Sequence, residues 1–203
     1  VQTLAREEWA KEATDASNLK INHSIYPDWA HPNLMIGNHD LARFGDLIDN
    51  SSAHNDNYWK RHKAAISYMG AYSGPVTLYY GEEWGSKTGN SDMTSMHVSR
   101  NDGKISGFTS EEEDLLDYTK KVMEIRANNS ALWQEDTSKS VVASGNQYID
   151  TKEDASTGNQ VVFCLNIGTN AETFTVSGSW KDAMTGEEFS GSVPMEGLQA
   201  RYL

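Results

Sequence analysis

The stretch Leu34-Met35-Ile36-Gly37-Asn38-His39-Asp40-Leu41-Ala42-Arg43 decides how the rest of the chain is read. Three apolar residues between Pro32 and Gly37 form a short buried strand, and the composition then changes abruptly to Asn, His, Asp and, three positions on, Arg. Parallel α/β folds place their binding and catalytic groups at such C-terminal strand ends. Spacing alone leaves a plainer reading open, in which Asp40 caps the following helix and His39 is a satisfied buried side chain.

Outward from this stretch the pattern alternates. Ala5, Trp9, Ala13 and Ala16 recur at helical spacing upstream. Downstream, Trp59, His62, Ile66 and Met69 fall on one helical face, which Gly70 and Gly74-Pro75 are expected to terminate. Val76-Thr77-Leu78-Tyr79-Tyr80 is rich in β-formers and reads as a second buried strand. Ser110 with Glu113 predicts a capping box, opening a helix with the apolar stripe Leu115, Tyr118, Val122 and Ile125 that closes at Asn128-Asn129. Residues 1–133 are thus expected to be part of an α/β sheet or barrel.

Past Trp133 the helical period disappears. Val141-Val142, Tyr148-Ile149, Val161-Val162-Phe163-Cys164-Leu165 and Thr173-Phe174-Thr175-Val176 read as short strands between Ser/Gly/Asn/Thr clusters. Ser156-Thr157-Gly158-Asn159 is a turn, and Leu198, Ala200 and Tyr202 alternate with polar residues as in a half-buried last strand. Residues 134–203 are expected to form a small antiparallel β-sandwich, so the predicted class is α/β followed by all-β.

Composition narrows the function. Seventeen Lys and Arg against 29 Asp and Glu leave a net charge of −12, which argues against nucleic acid or an anionic membrane as partner. Six Trp, nine Tyr and five Phe supply core material for a folded chain. The single cysteine, Cys164, excludes an internal disulfide framework and a cysteine-based zinc site within one chain. No apolar run reaches the roughly 18 residues of a membrane span, and the Val1 start does not read as a signal peptide.

Gly37-Asn38-His39-Asp40-Leu41-Ala42-Arg43 resembles the Asn-His-Asp block that ends the seventh barrel strand in the α-amylase family of glycoside hydrolases. Gly74-Pro75-Val76-Thr77-Leu78-Tyr79-Tyr80-Gly81-Glu82-Glu83-Trp84-Gly85 is similar to that family's eighth strand and the loop after it. Ile125-Arg126-Ala127-Asn128-Asn129-Ser130-Ala131-Leu132 looks like the end of its last barrel helix, and Asp182-Ala183-Met184-Thr185-Gly186-Glu187 resembles a motif of its C-terminal sandwich.

The resemblance implies the C-terminal part of a TIM barrel, with strands 7 and 8 and their helices, over residues 1–133, and a sandwich over 134–203. It implies that Asp40 is the carboxylate stabilising the transition state, that His39 binds the same sugar, and that Arg43 contacts the sugar or the carboxylate neighbourhood. Such a site would serve an oxocarbenium-like transition state on an α-glucan or oligosaccharide substrate, by a retaining mechanism. Asn38 would orient the turn.

A nucleophile and a general acid about 5–5.5 Å apart are also required. In the family both precede the Asn-His-Asp block, and only 37 residues precede Asn38 here. The chain is therefore expected to be a piece of a larger enzyme, inactive without the remainder of the barrel. Glu82 and Glu83 follow the eighth strand and read as rim loop structure.

The alternative class is a non-catalytic amylase-like scaffold or carbohydrate-binding protein, which missing upstream carboxylates would favour. The loop Gly81-Glu82-Glu83-Trp84-Gly85-Ser86-Lys87-Thr88 has the wrong glycine spacing for phosphate, and its two carboxylates would repel the anion. His23, His31, His39, His54, His62 and His97 show no metal-ligand spacing, and His62 reads as packed core. Glu111-Glu112-Glu113-Asp114 suits a solvated helix first turn. Trp84 or Tyr80, if exposed, would stack on sugar rings, and one of Tyr79 and Tyr80 should face the core. No cofactor or metal is expected in this segment, although calcium is compatible with a full-length parent. The composition is compatible with a secreted or cell-surface protein.

Overall fold

The computed structural model describes residues 33–50, 57–89 and 99–203. The helix expected around Ala5, Trp9, Ala13 and Ala16 lies outside these residues, as do His23, His31, His54 and His97.

Strands β1 (Leu34–Met35) and β2 (Val76–Thr77) pair in parallel, with Leu34 opposite Val76 and Met35 opposite Thr77. Parallel neighbours need a crossover, and helices α1 (Phe44–Asp49) and α2 (Tyr58–Ala71) supply it. Among the described residues no barrel is closed. β2 stops at Thr77, short of Tyr79 and Tyr80. Their rings meet edge to face at 4.5 Å instead of pointing to opposite sides. The expected division into one core and one surface tyrosine is therefore corrected: the strand alternation that predicted it has ended.

Gly70 does not end α2, which continues to Ala71. A Cβ there would collide with Val122 Cγ1 and stand 2.6 Å from the Tyr202 hydroxyl, so this glycine lets α2 approach both its neighbours closely. Helix α3 (Ser110–Asn128) begins at its predicted cap, Ser110, so the observed N-cap lies one residue earlier. Thr109 is the extended N-cap: its hydroxyl accepts from Glu112 N at 3.3 Å, and Thr109 N donates to Glu112 Oε2 at 2.7 Å. Leu115, Thr119, Val122 and Ile125 form its buried stripe, while Tyr118 packs at the margin. The short helix α4 (Ser130–Trp133) follows.

The β-rich part contains β3 (Ser138–Ser144), β4 (Gln147–Asp154), β5 (Asn159–Asn166), β6 (Glu172–Lys181), β7 (Glu188–Met195) and β8 (Ala200–Tyr202). One antiparallel sheet runs β3-β4-β5-β8, and β6 pairs with β7 in a separate hairpin. Strand β7 escaped the sequence reading because Gly191 and Pro194 interrupt its pattern; a two-stranded hairpin leaves the edge position that proline tolerates.

The four-stranded sheet is the middle of three layers. Tyr148, Phe163, Leu165 and Tyr202 face the helices, whereas Ile149, Val162 and Cys164 meet Phe174, Val193 and Met195 of the hairpin. Covered on both sides, β8 is fully buried, not half-buried as its alternation suggested.

The junction is stapled at the C-terminal end of α2. Lys152 Nζ, on β4, donates to Ala71 O at 2.5 Å and Leu132 O at 3.2 Å. Arg126 donates to Gly70 O at 3.1 Å, Tyr72 O at 2.6 Å and Gly74 O at 2.5 Å, and Tyr202 Oη donates to Ser67 O at 2.6 Å. Helix C-terminal ends leave carbonyls unpaired and carry partial negative charge, so the buried Lys152 and half-buried Arg126 suit this place. One apolar core consequently runs across residue 133 into the sheet.

Candidate active site

The ends of β1 and β2 lie side by side, which brings two loops together. After β1, Asn38 builds a tight turn: its Oδ1 accepts from Asp40 N at 2.8 Å and Leu41 N at 3.0 Å. Asn38 thus orients backbone. The turn puts His39 and Asp40 outward, with side chains 61% and 42% exposed and His39 Nε2 3.3 Å from Asp40 Oδ2. Neither plainer reading of these residues fits. The N-cap of α1 is Arg43, not Asp40, and His39 is not buried.

Of the two expectations for Arg43, a sugar contact or a place in the carboxylate neighbourhood, an open sugar contact does not fit its side chain in this structure. It is fully buried, and all three guanidinium nitrogens donate within the protein: Nε to Ser99 O at 2.8 Å, Nη1 to Tyr80 O at 2.8 Å and Nη2 to Asn101 Oδ1 at 2.7 Å. The Tyr79 and Tyr80 rings lie 4.9 Å and 4.8 Å from its central carbon. Arg43 therefore ties the turn after β1 to the loop after β2. Ser99 Oγ donates to Asn38 O at 2.7 Å, and Asn101 Nδ2 to Ser86 Oγ at 2.9 Å, so the segment at 99–101 completes the clamp.

Of the two candidate stacking rings, Tyr80 is exposed while its hydroxyl donates to Asn101 O at 2.7 Å. Trp84 is buried against Phe108. Glu83 Oε2 accepts from Gly81 N at 2.7 Å, consistent with loop structure.

Glu82 is the correction. Read as a rim carboxylate, it is fully buried beneath Gly37, and neither of its oxygens has a hydrogen-bond partner among the described residues. Burial pushes its carboxyl up to about 7, with the Arg43 guanidinium and the Phe44 N–H dipole pulling it partly back. Beside it, Asp46 is buried but saturated, accepting from Thr88 N, Thr88 Oγ1 and Gly89 N at 2.7–3.1 Å.

His62 is a core residue, as its helical position implied. It packs on Phe44 and Tyr58 with ring centroids 5.0 Å and 4.8 Å away, and desolvation lowers it to about 3, so it stays neutral. No cluster of three or more His, Cys, Asp or Glu poised for a metal occurs among the described residues, nor does any helix there have the length and apolarity to cross a membrane.

The sequence reading missed Ser99 and Asn101, whose partners are distant in the chain. The signal for Glu82 was present but slight: a glycine, not a larger residue, immediately before Asn38.

No protein-family model and no curated protein matches the chain. Solved structures do. The chain is similar to AmyP in complex with maltose, at 30% identity and a TM-score of 0.89, covering 100% of this chain and 47% of that one. It also resembles the α-amylase from Geobacillus thermoleovorans complexed with acarbose, at 16% identity and a TM-score of 0.80, covering 99% and 44%. A third likeness is to the pullulanase from Anoxybacillus sp. LM18-11 complexed with maltotriose, at 16% identity and a TM-score of 0.77, covering 99% and 30%. The chain spans less than half the length of each of these proteins. The described residues therefore have the fold of one portion of an α-amylase: two adjacent parallel strands with their helices, then a β-sandwich packed beneath them.

Proposed function

We propose that this chain is the C-terminal portion of a retaining glycoside hydrolase acting on α-linked glucans. In this reading residues 1–133 belong to the catalytic barrel and 134–203 to its sandwich. Asp40 stabilises the transition state, His39 binds the same sugar, and Arg43 positions the turn that carries them. One observation carries the proposal: His39 and Asp40 stand together, open to solvent, just past the C-terminal end of a strand in a parallel pair.

The chemistry follows from charge. Departure of the leaving group makes the sugar ring planar and cationic, and a fixed carboxylate stabilises that charge more than it stabilises the neutral substrate. Asp40 can be held for this because Asn38 fixes its backbone and Arg43 locks the turn to the neighbouring loop. His39 Nε2 lies close enough to Asp40 for both to reach one sugar. The nucleophile and general acid would come from strands outside the described residues. The likeness to a maltose-bound protein over the whole of this chain supports an α-glucan as the substrate class.

The test is Asp40→Asn in the intact enzyme. Loss of a transition-state charge contact should lower kcat/KM on maltooligosaccharides at least about 100-fold, the equivalent of about 2.7 kcal/mol. Activity within a few-fold of the parent would overturn the assignment.

A further inference from the structure

We propose that Glu82 is a positioning residue for the proposed site, a buried carboxyl that supports the 37–40 turn from beneath and holds it in shape as the uncharged acid. The inference deepens the reading of Asp40 and His39 as a sugar-binding pair, and rests on it for its link to activity alone.

Three observations converge. Glu82 has no exposed surface, although it follows a strand in a loop where glutamates are ordinarily solvated. Its carboxyl fills the space where a Gly37 side chain would be, since a Cβ there would collide with Oε1 and stand 3.3 Å from Cδ. Gly37 does not have the positive φ that demands glycine, so close contact with Glu82 accounts for the residue. Finally, Arg43, the nearby cation, directs its three hydrogen bonds at Ser99, Tyr80 and Asn101, and among the described residues no side chain donates to either Glu82 oxygen.

A carboxylate in such a place is costly when charged and tolerable when neutral. The groups facing it reinforce this. Desolvation favours the acid most strongly, and the Glu83 and Asp46 charges add to it; Arg43 and the Phe44 N–H oppose them. Tyr58, from α2, senses the Glu82 charge and is itself kept protonated by burial. Near neutral pH the pad under Gly37 therefore exchanges a proton. Ionisation would draw water or Arg43 toward Glu82 and release the clamp between the two loops.

The experiment follows Gly37 directly. In the intact protein labelled at glycine with nitrogen-15, the Gly37 amide should titrate with a midpoint near 7, and a His39→Gln background should keep that midpoint while removing the neighbouring imidazole. Glu82→Gln should abolish it. A Gly37 midpoint in the ordinary carboxylate range, or one unchanged by Glu82→Gln, would overturn the inference; the parent measurement decides even if the variant fails to fold. The kcat/KM profile on maltooligosaccharides supplies the second arm. In the parent it should fall as pH rises through about 7, and Glu82→Gln should flatten that limb. Absence of any hydrolysis would count against the glycosidase reading while leaving the amide titration to judge Glu82.

Discussion

The strand-and-helix part and the β-rich part differ in the buried acids and bases that they hold. Both contain saturated ones, such as Arg43 and Asp46 in the first, but only the first combines them with a carboxyl and an imidazole that have no hydrogen bond from the described residues. In residues 134–203, Asp150, Lys152, Asp154, Asp182 and Arg201 are all buried, and each has partners. Asp182 alone accepts from Arg201 Nη1 at 2.8 Å, Met184 N at 3.0 Å and Thr185 Oγ1 at 3.1 Å. In the earlier part, Glu82 and His62 are equally buried and have no hydrogen-bond partners among the described residues. Saturated buried charge fixes architecture, whereas Glu82, beside the loops after β1 and β2, and His62, in the packed face of α2, are held without hydrogen bonds from the described residues.

The largest expected break in this contrast is Asp182→Ala. It strands the Arg201 guanidinium, 9% exposed, with only the peripheral Glu187 carboxylate at 3.2 Å as an anionic neighbour. Removing one partner of a buried pair costs about 3–5 kcal/mol. Urea unfolding should show the midpoint fall with its slope unchanged. A loss below about 1 kcal/mol would mean that Glu187 replaces Asp182, and that the saturation seen in this region is not what holds it.

The unsaturated pair is sharpened by pH. Glu82 is raised from 4.5 to about 7, so its contribution to stability is complete below 4.5 and is lost as pH rises through 7. His62 is lowered from 6.5 to about 3, so its contribution is complete above 6.5 and is lost as pH falls through 3. Between 4.5 and 6.5 the folded chain holds one proton more on Glu82 and one fewer on His62 than the unfolded chain, and the two slopes cancel. Relative to the parent, Glu82→Gln should therefore gain stability with rising pH across this window by about 1.4 kcal/mol per unit. His62→Phe should lose stability at the same rate. Denaturation series at several pH values would measure both, and parallel curves for parent and variants would contradict the burial of these groups in their unusual states.

The smallest effect belongs to the boundary of α3. Thr109→Ala should cost about 1 kcal/mol through loss of the hydroxyl that accepts from Glu112 N. Ser110→Ala should be nearly silent, because Ser110 is already inside the helix. Thermal denaturation of the two variants distinguishes the observed cap from the one the sequence suggested.

Much of this molecule was legible in its residues, and the rest was not for identifiable reasons. Short runs of β-formers between turn-residue clusters located β4 and β5, and helical spacing located α2 and α3, because turn residues and a buried helix face both leave local marks in the sequence. Strand β7 was invisible: Gly191 and Pro194 interrupt its pattern, and only pairing with β6 makes the segment extended. At the candidate site, residue order and the family resemblance drew attention to His39 and Asp40, and the turn role expected of Asn38 is seen in its bonds to Asp40 N and Leu41 N. For Arg43 the sequence left contact with a sugar or with the carboxylate neighbourhood open and could not show its observed partners Tyr80, Ser99 and Asn101, which lie 37 to 58 positions away.

What the sequence determined by itself is where polar chemistry follows a short apolar strand, because a change from apolar to polar residues is a local property; the burial expected of that strand is not seen, since Leu34 is half-buried and Met35 exposed. What only the tertiary structure decided is which of those groups meet water and which are enclosed. Glu82 and Glu83 are adjacent and chemically identical, yet one is sealed beneath Gly37 and the other, half-buried, accepts from the Gly81 amide. Burial depends on what the rest of the fold brings to a residue, and for a carboxyl group that difference governs whether it carries a charge.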